Sequence, residues 1–347
     1  MLPFKILSNL VRGRKLFYVH IGITHRCPFQ CRMCTVWKTA DAGSEIPVDR
    51  YPEVAGKLSR LGAVAVSLGG GEPFVRNDLP DIVRSFISAG TRPRVLTNGI
   101  TPEINDFKRV FDSGLRDISV SFDTLHPQIQ SDIYDGQDVW PRLERNLDWL
   151  SKVATDRNLF VLLNTVVSGL NVHELPDLVE FAAGRGFHIS FVPLELASAP
   201  DEANDFAAYA PDMALTEDHH RIVAASFETL IAMKREGYPI FNSTAFLSLC
   251  SHYLRGRKAE WPCRAGQLFL SINPAGEASF CHASQPFASV LDENFEDRFR
   301  SDAVKREAAG FRKNCPDCLR PCWVEPTLAI HHRPSMWEQV RLVMRKF

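Results

Sequence analysis

The feature that most constrains the fold is a repeated exchange between two hydrophobic periods along residues 16–197. Six runs read as strands: LFYVHIGIT (16–24), AVAVSLGG (63–70), RPRVLTNG (92–99), RDISVSFDT (116–124), LFVLLNTVV (159–167) and HISFVPLELA (188–197). Between them, stretches of helical spacing are expected at about 48–62, 79–90, 101–114, 139–155 and 173–186. In the fourth of these, Trp140, Leu143, Leu147, Leu150 and Val153 recur three or four residues apart. Gly90 and Gly114 sit where helix stops belong. Strands alternating with helices need crossover connections and therefore a parallel sheet. Six such units without a glycine fingerprint for a dinucleotide predict an α/β chain built as a partial (β/α)6 TIM-like barrel. An open doubly wound sheet is the structural alternative.

The pattern changes after residue 198. An acidic loop is expected at 198–215, a helix at 216–237 and a β-hairpin at 267–283 around Asn273-Pro274-Ala275-Gly276. The expected organisation is a basic amphipathic segment at 1–15, the barrel at 16–197, a linker and helix at 198–239, a smaller α+β domain at 240–325 and a helical tail at 326–347. A chain of 347 residues, 45% of them hydrophobic, has material for both cores. Its formal net charge of -1 argues against a nucleic-acid partner, whose binding domain would be basic. No apolar run is long enough to span a bilayer, and the first residues lack a signal-peptide core, so a cytoplasmic location is expected. Both ends are basic and apolar. They fit packing against the body, the commoner use of an amphipathic helix, or peripheral contact with a membrane.

Nine cysteines in a reducing compartment point to metal rather than disulfides, especially when clustered. Three form Cys27-Pro28-Phe29-Gln30-Cys31-Arg32-Met33-Cys34, directly after the first strand. The spacing also fits one face of a helix, but Pro28 and the position after a strand favour a loop. Iron–sulfur cubes usually take four thiolates, so three would leave one iron open to an outside ligand. A zinc site is the alternative and would need a fourth ligand such as His25.

CxxxCxxC after the first strand resembles the signature of the radical S-adenosylmethionine (SAM) superfamily. Gly70-Gly71-Glu72-Pro73 after the second strand resembles that family's GGEP motif. The resemblance implies a [4Fe–4S] cluster on Cys27, Cys31 and Cys34 whose open iron is chelated by SAM. One-electron cleavage of SAM would then release a 5′-deoxyadenosyl radical. It also implies that Gly70, Gly71, Glu72 and Pro73 bind the SAM amine. Asn98, Ser121, Asp123 and Asn164, at strand ends, are expected at the ribose or methionine carboxylate, and Pro193 and Leu194 near the adenine. Barrel sites collect at the C-terminal ends of strands, although polar residues also end strands for purely structural reasons.

The remaining cysteines lie outside the barrel. Cys263, Cys281, Cys315 and Cys318, flanking a hairpin and a CxxC, resemble the twitch or SPASM extension and suffice for one auxiliary [4Fe–4S] cluster. Cys322 and Cys250 are left over, and either could replace one of the four. A structural zinc is the alternative. The expected partners are a small-molecule, sugar or lipid-linked substrate and an electron donor such as flavodoxin or ferredoxin. A ribosomal-peptide maturase is the competing reading. It is disfavoured because only about fifteen residues precede the first strand, too few for a peptide-recognition domain. A non-catalytic zinc scaffold is a third, which retention of the GGEP motif argues against. No catalytic acid, base or hydrogen donor is assignable; His126, Tyr134 and Glu195 are polar residues placed where they could face a cavity.

Overall fold

The computed structural model describes residues 16–39, 45–197, 209–315, 318–332, 334–338 and 340. The basic segment at 1–15, much of the acidic loop and the last residues of the tail lie outside them.

Six strands run in chain order: β1 (Tyr18–Thr24), β2 (Ala65–Gly70), β3 (Arg92–Thr97), β4 (Asp117–Ser121), β5 (Phe160–Val167) and β6 (His188–Pro193). Each pairs in parallel with the next. The helices that return the chain are α1 (Tyr51–Leu61), α2 (Leu79–Ser88), α3 (Ile104–Asp112), α4 (Pro127–Ile133), α5 (Trp140–Ala154) and α6 (Leu175–Gly184). Proline stands in the first turn of all of these except α3: Pro52, Pro80, Pro127, Pro141 and Pro176. There its missing N–H costs nothing and its fixed φ suits the helix, so the starts are written locally. Gly62 ends α1 at φ 111°, a conformation that would strain any side chain.

The later elements are α7 (His220–Glu236), α8 (Thr244–Tyr253), β7 (Phe269–Ile272), β8 (Glu277–Ser279), β9 (Pro286–Ser289), α9 (Phe295–Arg300), α10 (Asp302–Lys313) and α11 (Pro321–His331). The sheet does not stop at β1. β7 pairs with β1 in parallel, and β8 and β9 follow antiparallel, giving the order β6-β5-β4-β3-β2-β1-β7-β8-β9. The hairpin of the second region is thus an extension of the barrel wall.

The strands alternate, with apolar residues facing the helices. Val95, Ile118, Val120 and Leu163 are fully buried in that outer layer. Their neighbours Arg94, Ser119, Ser121 and Asn164 face a cavity of about 850 Å³. The arc between β6 and β7 is spanned by α11. Its Trp323 stacks on Phe269 of β7 with centroids 4.5 Å apart and meets Tyr18 of β1 edge-on. On the other side, Glu325 Oε1 accepts from the N–H of Ser243, the N-cap of α8, at 2.7 Å.

Candidate active site

The cavity is bounded at one end by the loop that leaves β1. This segment is irregular, with a turn at Arg32–Met33, so the helical reading of the cysteine spacing does not hold. Cys27, Cys31 and Cys34 all line the cavity and are half-buried. The loop is pinned by the N–H of Arg32 donating to the carbonyl of Ile133, and by Trp37 Nε1 donating to the carbonyl of Cys34 at 2.9 Å. Phe29 packs edge-on against Tyr134, which also lines the cavity.

The two glycines after β2 hold this loop in place. The N–H of Gly71 donates to the carbonyl of Thr24 at 2.7 Å and that of Glu72 to the carbonyl of Arg26 at 2.9 Å. A Cβ on Gly70, which has φ +110°, would lie 2.1 Å from the carbonyl oxygen of Thr24; one on Gly71 would lie 2.2 Å from that of Arg26. Only glycine lets the two chains meet here. The Glu72 side chain is spent on β3: it accepts from Thr97 Oγ1, from the N–H of Asn98 and from the N–H of Phe74. Burial raises its pKa to about 7 despite these bonds. These bonds engage both carboxylate oxygens and hold Glu72 to β3 and to its own turn.

The other strand-end residues differ in what they have free. The side chain of Asn98 is turned to its own loop, accepting from the N–H groups of Ile100 and Thr101 and donating to Thr101 Oγ1. Ser121 and Asn164 are opposite one another in the β4–β5 register and line the cavity, as do Pro193 and Leu194. Asp123 is the exception. It is 1% exposed; Oδ1 accepts from the N–H of Val166 at 2.8 Å, while Oδ2 is buried with no partner among the described residues. Burial raises its pKa to about 7. A buried, unsatisfied oxygen costs about 1–3 kcal/mol. Donors such as ribose hydroxyls would relieve it, and SAM carries them.

The donor chemistry of the loop fits an iron–sulfur cube. Burial, with Glu72 and Cys34 adding, pushes the Cys27 thiol up to about 11. Cys31 is raised by burial and by Cys34, Cys27 and Asp123. Three soft thiols that oppose one another's ionisation need a cation to become thiolates together.

The second set is arranged differently. Cys263 is raised by burial and Cys315; Cys281 goes up to about 12 through burial, with Cys263 and Cys315 adding. Cys318 is raised by burial, Glu195, Cys281 and Cys315. These four thiols therefore lie near one another, Cys281 buried and the other three half-buried, and none of them lines the cavity. Cys322 does line it. Burial with Glu195 adding takes it to about 12, and no other cysteine contributes. Cys250 is wholly buried in α8.

Between the two sets stands a polar wall that strand alternation could have disclosed. Tyr18 and His20 point inward from β1 between apolar Val19 and Ile21, and both bond Ser67 Oγ, at 2.6 and 2.8 Å. Glu195 Oε2 accepts from Arg320 Nε and Nη2 at 2.9 and 2.7 Å, while Oε1 is buried without a partner among the described residues. Trp323 Nε1 donates to His282 Nδ1 at 3.1 Å, which leaves the ring proton on Nε2, 3.8 Å from Glu195 Oε2. Of the three polar candidates, Tyr134 and Glu195 face the cavity; His126 is exposed outside it.

This geometry agrees with what the chain resembles. A family model described as the radical SAM superfamily matches residues 21–182. The chain carries a radical SAM domain, and its fold is shared with radical SAM enzymes that have a twitch or SPASM extension. Among relatives, it is 26% identical over 278 residues to the PqqA peptide cyclase of Rhodopseudomonas palustris, covering 78% of this chain and 68% of that protein. Among solved structures, Streptococcus suis SuiB bound to S-adenosylmethionine superposes with a TM-score of 0.66 at 15% identity, over 91% of this chain and 74% of SuiB. SuiB bound to its precursor peptide SuiA gives 0.64 at 14%, over 89% and 70%. These matches correct the expected partner. A small-molecule, sugar or lipid-linked substrate does not stand against a relative named as a peptide cyclase and a fold-mate holding a precursor peptide. The peripheral membrane contact rested largely on residues outside those described; among the described residues no helix is long and apolar enough to cross a membrane.

Proposed function

We propose that this chain is a peptide-modifying radical SAM enzyme. The observation that carries the reading is the 278-residue likeness to a peptide cyclase, which extends well beyond the stretch 21–182 matched by the superfamily model. Cys27, Cys31 and Cys34 would hold a [4Fe–4S] cluster, and the strand ends from Gly70 to Leu194 would hold SAM, with Asp123 Oδ2 taking a hydroxyl donor. When bound, these groups supply a 5′-deoxyadenosyl radical able to take a hydrogen atom from a peptide carbon. Cys263, Cys281, Cys315 and Cys318 would hold one auxiliary [4Fe–4S] cluster in a domain at about 240–325. Cys322 is left free in the cavity. Tyr18, His20, Glu195 and Arg320 form the wall against which the peptide side chain would lie, and Glu195 Oε1 offers it an acceptor.

The test is coexpression with short reading frames that flank the gene, followed by mass spectrometry of each peptide. A mass change that needs Cys31 is expected. Abundant 5′-deoxyadenosine with every flanking peptide unaltered would overturn the peptide reading and leave the enzyme class standing.

A further inference from the structure

Outside the cavity, the segments that leave β4 and β5 bring together three side chains that the proposed chemistry does not use. His126, His173 and Glu174 each place one ligand atom within 4.8 Å of the other two. His126 Nε2 is 3.8 Å from Glu174 Oε2, and the two imidazoles lie face to face with centroids 6.5 Å apart. His126 and Glu174 hold equivalent positions, each as the N-cap of the helix that follows its strand, α4 and α6. Neither makes a capping bond with its side chain.

Glu174 distinguishes this trio from a chance meeting of surface groups. It is 3% exposed, although both histidines are exposed. Its Oε2 accepts from the N–H of Leu125 at 3.0 Å, which fixes the carboxylate. Its Oε1 is buried with no hydrogen-bond partner among the described residues. A carboxylate oxygen taken from water and given no donor is costly. Two exposed imidazoles beside it offer nitrogen atoms to a shared ion.

We propose that His126, His173 and Glu174 form a divalent metal site that takes zinc. Two imidazole nitrogens and one carboxylate oxygen are a zinc donor set of the open kind, with the remaining position facing solvent and available to water. The site contains no cysteine, so it is chemically separate from both thiol sets. An ion there would tie the β4–α4 loop to the β5–α6 loop. Asn171 of the second loop donates to the backbone carbonyls of Asp123 and Val166 at 2.7 and 2.8 Å, so the tie lies behind the Asp123 end of the cavity.

The experiment uses the reconstituted holoenzyme. Wild type and the double variant His126→Gln/His173→Gln are dialysed against zinc sulfate and then metal-free buffer, without oxygen. Iron and zinc are counted by mass spectrometry, and the zinc edge is read by X-ray absorption. Wild type is expected to retain a stoichiometric zinc with only nitrogen and oxygen neighbours, at about 2.0–2.1 Å. The variant is expected to lose that zinc while keeping its iron and its SAM cleavage. Equal zinc in both proteins, sulfur neighbours at about 2.3 Å, or no zinc retained by wild type would each overturn the proposal.

Discussion

The two cysteine sets use one residue type for opposite ends. Cys27, Cys31 and Cys34 sit on an irregular loop that lines a cavity, so a cluster they held would be open to it. Cys263, Cys281, Cys315 and Cys318 lie near one another, set back from that cavity, and would supply four thiols to one cluster. Openness, more than ligand identity, separates a centre that can bind substrate from one that can hold structure or pass electrons.

The sharpest way to break this comparison is to remove one thiol from each set. Cys31→Ala should abolish 5′-deoxyadenosine formation in reconstituted protein with SAM and reductant. Cys318→Ala should lose about half the iron, since two four-iron clusters become one, yet still cleave SAM. Cys322→Ser should keep the full iron content, because its thiol faces the cavity away from the four. Iron loss in Cys322→Ser with none in Cys318→Ala would invert the assignment.

A smaller effect is expected at the glycines that press the first loop into place. Gly71→Ala puts a methyl 2.2 Å from a carbonyl oxygen. Displacing backbone at so tight a contact should cost about 1–3 kcal/mol, read as a lowered unfolding midpoint, and should weaken SAM binding more than auxiliary-cluster content.

A further effect concerns pH. Asp123, Glu72 and Glu325 have pKa values raised by burial to about 7 from ordinary values near 4. A raised carboxyl pKa means the folded chain binds more protons than the unfolded chain between those limits, so stability falls as pH rises from about 4 to about 7 and then levels. Asp123→Asn should flatten part of that slope in the cluster-free chain, seen by urea titration at several pH values. An unchanged slope would mean that Asp123 already has a partner.

The barrel was readable because its strands and helices carry opposite hydrophobic periods and its helix starts carry prolines. The runs Cys27–Cys34 and Cys315–Cys322 show in the spacing, whereas Cys263 and Cys281 come near Cys315 only through the fold. What escaped the sequence was the wall. α11 is buried on most sides, including Trp323, Val324, Glu325, Thr327 and Leu328, and contains Pro326, so it shows neither amphipathic period nor ordinary helix composition. Short β9, which begins at Pro286, and α4, seven residues long, are set by tertiary packing. Tyr18, His20 and Ser67 were written in strand alternation but met only across β1 and β2. Glu195, Arg320 and His282 came from segments far apart in the chain.

The position of α11 ties the second thiol set to the wall of the cavity. The helix begins three residues after Cys318, and its far side is moored to α8 by Glu325. The stave that completes the barrel thus follows directly on Cys318 in the chain. If a metal holds those four thiols, losing it would also loosen Trp323 from Phe269, so damage done behind the cavity would be felt inside it.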